Sequence, residues 1–220
     1  MRKSFTALKG RRLVAACYLV FIVASIVLCL YNFTYDSILR ATGKLQTVYL
    51  TTADFTEIDQ IEIVDKTTLL TVENEFGGGD PKIILDYSKT PVYVRSITTD
   101  MRFSRAPGEF NVFYLTKKAF ALGHTYGTSD RVWGAQDKSG VWHFTLPRTQ
   151  YYGLRIDPGT FTANQISWSY IILNAPRSFF SYFTFGYSWL FGLIVYPALA
   201  AAIIGWLQEI YTHYIKKRTV

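Results

Sequence analysis

Two uninterrupted apolar runs, one near each end, limit what this chain can fold into. Residues 13–35 contain no Lys, Arg, Asp or Glu, and neither do residues 178–208. A helix needs roughly 20 apolar residues to cross the hydrocarbon core of a bilayer, and both runs are long enough. The second exceeds the requirement, so part of it must tilt, lie along the interface or precede the helix. A buried core helix is the competing reading, and two such lengths in a chain of 220 residues speak against it.

The distribution of charge sets the expected orientation. The net charge is +7. Five basic residues (Arg2, Lys3, Lys9, Arg11, Arg12) precede the first run, and three (Lys216, Lys217, Arg218) follow the second, where Glu209 is the one acid. Residues 36–177 hold 15 basic and 15 acidic side chains, so the middle of the chain is neutral. Basic residues flanking membrane spans mark cytoplasmic ends, and anionic headgroups reinforce the preference. The expected partner of this charge is therefore membrane lipid and not nucleic acid. Both termini are expected in the cytoplasm and the intervening domain outside it. Cys17 and Cys29 both fall in the first run, leaving the outer domain without a disulfide. For a domain in an oxidising space this favours a bacterial envelope, with the chain in the inner (cytoplasmic) membrane. No A-x-A site follows the first run, and the box Val14-Ala15-Ala16-Cys17 lacks an apolar region before it. The segment therefore reads as an uncleaved anchor.

The chain accordingly divides into a basic tail (1–12), a first transmembrane helix (13–35), a connector (36–44), an outer domain (45–176), an interfacial segment with a second transmembrane helix (177–208) and a second basic tail (209–220). Trp189 on one side, and Trp206, Tyr211 and Tyr214 on the other, sit where aromatic side chains mark the two membrane interfaces. Pro197 lies mid-span, where it can kink the helix. From Leu45 the pattern turns to short strands separated by turn residues: Leu45 to Thr51, Ile58 to Asp65, Leu69 to Glu75, Lys82 to Tyr87, Val92 to Thr98, Met101 to Ser104, Asn111 to Thr116, Arg131 to Ala135, Val141 to Leu146, Gly153 to Asp157 and Gln165 to Leu173. The run Phe76 to Pro81 cannot continue a strand, and Asp137 to Gly140 suits a hairpin turn. Many short, evenly spaced strands predict a mostly β domain, a β-sandwich of jelly-roll type flanked by two transmembrane α-helices. Alternation places Trp142, Phe144 and Leu146 on one face of their strand. It places Ile166, Trp168, Tyr170 and Ile172 on one face of theirs.

A search for chemistry finds no catalytic constellation. His124, His143 and His213 have no metal-ligand spacing, and Gly77 to Gly79 lack the Lys-Ser/Thr of a phosphate loop. Carboxylates such as Asp54 and Glu57 have the spacing of ordinary surface acids. No cofactor motif is present, and neither apolar run carries an acidic or basic group that would mark an ion path. One string is more specific: Tyr151-Tyr152-Gly153-Leu154-Arg155-Ile156-Asp157-Pro158-Gly159. Leu154 and Ile156 should face the core, which puts Arg155 and Asp157 together on the other side. Two readings stand open: a strand-end corner closed by an Arg–Asp contact, or a polar pair that binds sugar hydroxyls beside aromatic rings.

Phe113-Tyr114, the strand Gly140 to Pro147, the string L-R-I-D-P-G at 154–159 and the strand I-x-W-x-x-I-x-L at 166–173 together resemble a β-sandwich domain. It is found in bacterial membrane glycosyltransferases and in proteins that make O-antigen and other surface polysaccharides. The resemblance covers residues 110–174 well and 45–109 loosely. It implies a carbohydrate-binding-module-like sandwich between membrane helices, with catalysis residing elsewhere. The chain carries no glycosyltransferase domain. The expected function is a non-catalytic accessory protein of envelope polysaccharide synthesis that binds glycan or lipid-linked sugar. The alternatives are a subunit or truncated relative of a membrane glycosyltransferase, or a structural scaffold of the envelope. Arg155, Asp157, Tyr126, Trp133, Tyr151 and Tyr152 are the candidate ligand residues.

Overall fold

A computed structural model describes residues 10–74, 79–127, 130–184 and 186–215, with residues 214 and 215 described by backbone alone. Basic residues 2, 3, 9 and 216–218, most of the glycine-run turn and the Tyr214 side chain lie outside that description. The chain forms two compact units, Met1–Ser37 with Arg177–Val220, and Ile38–Pro176.

The first unit is helical. Helix α1 (Arg11–Ala41) is 31 residues long, about 46 Å at the helical rise. The expected connector over 36–44 is therefore helical through Ala41. Nothing between Asp36 and Ala41 breaks a helix, and Gly43 is the first residue to take a left-handed turn (φ 71°). There the Lys44 N–H reaches the Leu39 carbonyl and the Gly43 N–H the Arg40 carbonyl, the double bond that closes a glycine-terminated helix. A second long helix, α3 below, runs over Tyr187–Ile210. Both helices are long and apolar enough to cross a membrane. Leu13, Cys17 and Ala201 pack together, and the Tyr18 hydroxyl donates to the Ile194 carbonyl at 2.8 Å. Pro197 lacks the N–H that would serve the Leu193 carbonyl, so this stretch of helix is under-bonded from within. Ahead of the second helix, Phe179–Phe183 forms a single 3₁₀ turn. Phe179 and Tyr182 meet the Phe33 ring edge-on there. The Tyr182 hydroxyl donates to Asp36, an acid that is 2 % exposed.

The second unit is mostly β. In chain order its elements are β1 (Val48–Leu50), β2 (Glu57–Asp59), β3 (Ile61–Asp65), β4 (Thr68–Thr71), β5 (Lys82–Asp86), β6 (Val92–Tyr93), β7 (Ser96–Thr99) and β8 (Arg102–Phe103). There follow β9 (Asn111–Thr116), α2 (Lys117–Ala121), β10 (Arg131–Trp133), β11 (Ala135–Gln136), β12 (Trp142–Thr145), β13 (Gln150–Asp157), β14 (Gln165–Ser167) and β15 (Ile171–Leu173), after which comes α3 (Tyr187–Ile210). They form three antiparallel sheets, ordered β1-β15-β7-β12-β11, β10-β9-β13-β5-β2 with β6 on β13, and β3-β4-β14-β8. One core joins them, with Leu69, Ile83, Ile97, Phe144, Leu154 and Ile166 at its centre.

Strands form within every expected stretch, and four stretches, Val92 to Thr98 and Arg131 to Ala135 among them, are divided in two. Ile58 to Asp65 divides at Gln60, whose φ is 56°. Gln165 to Leu173 divides because Asp100 Oδ1 takes the N–H groups of Ser169 and Tyr170. The two halves then join different sheets, and the alternation slips by one. Ile171 and Leu173 are buried in place of Tyr170 and Ile172. Helix α2 is an addition, started by the Thr116 hydroxyl accepting the Ala119 N–H, an N-cap of the usual kind.

The unit has no cysteine, and buried amides cross-link its segments instead. Asn174 is 2 % exposed with φ 56°. Its Nδ2 donates to the Gln46 and Tyr93 carbonyls at 2.9 and 2.8 Å, and its Oδ1 accepts the Arg95 N–H. Its carbonyl accepts from Arg40 and Thr47. Asn174→Ala would orphan three buried backbone groups and replace an asparagine, which tolerates the left-handed conformation, with an alanine that does not. It is expected to cost about 3 kcal/mol, with Asn174→Gly recovering about 1 kcal/mol of that. Denaturant unfolding of the full chain measures both.

Candidate functional site

Most of the candidate residues lie on one face of the six-stranded sheet. Strand neighbours two apart, and directly paired residues on adjacent strands, share a face. Trp133 pairs with Asn111 and Asn111 with Asp157, while Arg131 pairs with Phe113, Phe113 with Arg155, and Arg155 with Ile84. Glu57 pairs with Ile84 at the far edge. A row of charged and aromatic side chains, interrupted by Ile84 on β5, thus crosses the sheet opposite the face that carries Leu154 and Ile156 into the core.

Arg155 and Asp157 form a two-pronged ion pair, Nε to Oδ1 at 2.7 Å and Nη2 to Oδ2 at 2.5 Å. The guanidinium lies 4.2 Å from the Phe113 ring centre. Burial pushes the Asp157 carboxyl up from its ordinary value, against the hydrogen bond and charge of Arg155. Nearby, Lys82 bonds Asp80 at 2.8 Å and approaches Asp59 at 3.6 Å. The Asp80 hydrogen bond is the main reason its ammonium is held above the usual range. The Tyr126 hydroxyl sits over Gly153, where a Cβ would fall 2.3 Å from it. Burial, then the charge of Asp86, raises that phenol to about 12, so it stays a neutral donor. At the sheet edge, Arg131 stacks 4.4 Å above the indole of Trp133, which is 51 % exposed. Arg131 also approaches Glu109 at 3.8 Å. Asn111 donates to the same Glu109, but its Oδ1, fully buried, has no donor among the described residues.

Tyr151 is not part of this face. It is fully buried, with its hydroxyl donating to the Pro147 carbonyl at 2.6 Å. A bulge between Tyr151 and Gly153 shifts the register and sends this ring to the core side, which corrects the expectation that it meets ligand. Tyr152 stacks on Phe120 of α2 at 4.8 Å. The sequence reading missed Asn111, Arg131 and Lys82. Of these, only Asn111 carried a signal, as a polar residue opening a strand otherwise apolar on both faces. Of the interface aromatics, Trp206 and Tyr211 are exposed on their unit and Trp189 is half-buried. His143 is exposed and pairs with Asp137 at 2.9 Å. Among the described residues no three His, Cys, Asp or Glu side chains gather to hold a metal ion.

No family model and no curated protein matches the chain. Solved structures similar to it include two variants of a family 29 carbohydrate-binding module, one of them complexed with mannohexaose. Each is 8 % identical; the complex has a TM-score of 0.33 over 58 % of this chain and 92 % of that chain, and the other 0.32 over 58 % and 91 %. A rhamnosidase from Klebsiella oxytoca with rhamnose bound is 14 % identical, with a TM-score of 0.26 over 60 % of this chain and 30 % of that one. TM-scores below 0.5 carry no weight for fold, ligand or activity, and a functional reading has to come from this chain's own geometry.

Breaking a buried ion pair from one side leaves the other charge stranded. Arg155→Ala is expected to destabilise the full chain by about 3–5 kcal/mol. A carboxyl whose folded-state pKa is raised loses stability as pH rises through that value. Without Arg155 the Asp157 pKa rises further, so the deficit should be largest at neutral pH and narrow as the pH falls toward 4. Unfolding curves across that range check the sign.

Proposed function

We propose that this chain is a non-catalytic, membrane-anchored accessory protein of envelope glycoconjugate synthesis. In this reading α1 and α3 span the inner membrane with both termini in the cytoplasm. The β unit, a sandwich outside the cytoplasm, binds glycan or lipid-linked sugar on the outer face of its six-stranded sheet. One observation carries the ligand reading. The exposed indole of Trp133 lies at the sheet edge against the Arg131 guanidinium, itself 3.8 Å from the Glu109 carboxylate. An exposed indole flanked by accessible polar groups is what a sugar's C–H face and hydroxyls require. Tyr126 adds a neutral hydroxyl to the same face. Arg155 and Asp157 serve it by holding Phe113 and strand β13 in place, with the Arg155 Nε–H and one Nη2–H engaged by the two Asp157 oxygens. The resemblance over residues 110–174 supports a glycosyltransferase as the membrane partner.

Binding of envelope oligosaccharides by the full chain in a detergent without sugar headgroups tests the ligand. Trp133→Ala should weaken saturable binding about tenfold or more, and Gly153→Ala, which displaces the Tyr126 hydroxyl, should weaken it too. A folded protein that binds no oligosaccharide, or binds equally well without the indole, refutes the reading. Topology has its own test, in a background lacking Cys17 and Cys29. A membrane-impermeant maleimide should label Lys138→Cys in spheroplasts but Ser4→Cys only after permeabilisation.

A further inference from the structure

We propose a second saccharide-binding site in the β unit, in the cleft between strands β1 and β15 of one sheet and β6 and β13 of another. This stands apart from the sheet-face reading and does not depend on it. The cleft encloses about 460 Å³, within the range of small-ligand sites. Its floor is apolar and buried, made by Leu50, Val94 and Leu173.

Its walls are set by one side chain. Asn174 donates to the Gln46 carbonyl on one wall and to the Tyr93 carbonyl on the other, which holds the opening at a fixed width. A site held this way loses little entropy when a ligand enters. The lining combines two half-buried tyrosines, Tyr87 and Tyr93, and Pro91 with the amides of Gln46 and Gln150. No side-chain polar atom of Tyr87, Tyr93, Gln46 or Gln150 bonds to another described residue, so all four remain available. Burial, helped by the charge of Asp54, raises the Tyr87 phenol to about 12, which keeps it protonated. The two charged groups present, Lys44 and Asp54, balance each other. Asp54 is also engaged, taking the Thr51 N–H and hydroxyl at 2.7 and 2.8 Å.

This chemistry selects a narrow class of ligand. A charged molecule finds no net counter-charge, and a wholly apolar one would strand two amides and two hydroxyls. An uncharged ring with C–H faces and peripheral hydroxyls, a hexose-sized saccharide unit, satisfies rings and amides together.

The test is saturation-transfer difference NMR on the full chain in dodecylphosphocholine, with the methyl glycosides of glucose, mannose, galactose and N-acetylglucosamine as probes. Saturable transfer from at least one glycoside is expected. Tyr87→Phe and Gln150→Ala should each weaken it about fivefold or more, the worth of one net hydrogen bond. Tyr87→Phe keeps the ring and its packing, so its effect reports the hydroxyl. In a Trp133→Ala background, which removes the indole of the sheet face, saturable transfer should persist and should still be weakened by each of the two cleft variants. The proposal is overturned if no glycoside gives saturable transfer, or if both cleft variants bind like the parent. Loss on Trp133→Ala alone also overturns it, and assigns the sugar to the sheet face.

Discussion

Strand β13 has no free side. Gln150–Asp157 is paired to β9 on one flank and to β5 and β6 on the other, and Leu154 and Ile156 are buried in the core. Its opposite face is covered as well: Asp157 is 8 % exposed, and Gly153 lies beneath the Tyr126 hydroxyl. A strand in that position cannot carry a lone charge, because an unpaired ion out of water costs several kcal/mol. Arg155 and Asp157 answer the constraint by neutralising each other two residues apart, the nearest spacing that puts both on the same face.

A second constraint is the lack of covalent cross-links. With no cysteine between residues 38 and 176, the loops between sheets are closed by buried amides and hydroxyls. Asn174 joins the segments around Gln46, Tyr93 and Arg95, and receives Arg40 from the end of α1. Asn164 does the same elsewhere, its Oδ1 accepting the Ser104 hydroxyl and the Arg105 N–H while its own N–H goes to Thr71. Short polar side chains reach two or three backbone groups at once, and Asn tolerates a left-handed backbone better than most residues. These clamps let three sheets share one core, and Asn174 also sets the width of the cleft proposed as a second site.

The local features were legible where one physical rule acted alone. Alternation in β12 correctly places Phe144 and Leu146 inward, and the strands break at turn-forming residues. Legibility failed where a distant residue intervened. Asp100 captures two N–H groups after Trp168 and reverses the inward face of β15, although nothing near residues 168–170 signals it. The bulge at Tyr152 turns Tyr151 into the core, and no spacing in Y-Y-G-L-R-I-D predicts which tyrosine it takes. For the connector over 36–44, readable as helical or irregular, the outcome follows a plainer rule: the helix continues through Ala41 until a glycine permits it to stop.

The sequence alone determined that two long apolar helices flank a neutral, cysteine-free, mostly β region, because hydropathy and side-chain period are properties of contiguous residues. It also determined that Arg155 and Asp157 share a face, since they lie two apart on a strand. Only the tertiary structure decided what that face contains. Trp133, Asn111, Phe113 and Arg155 are brought side by side by the register of three strands that lie far apart in the sequence. The tertiary structure likewise decided that Tyr151 is core and that Asn174 spans a cleft. Strand register and buried amide contacts are set by long-range packing, which no local pattern encodes.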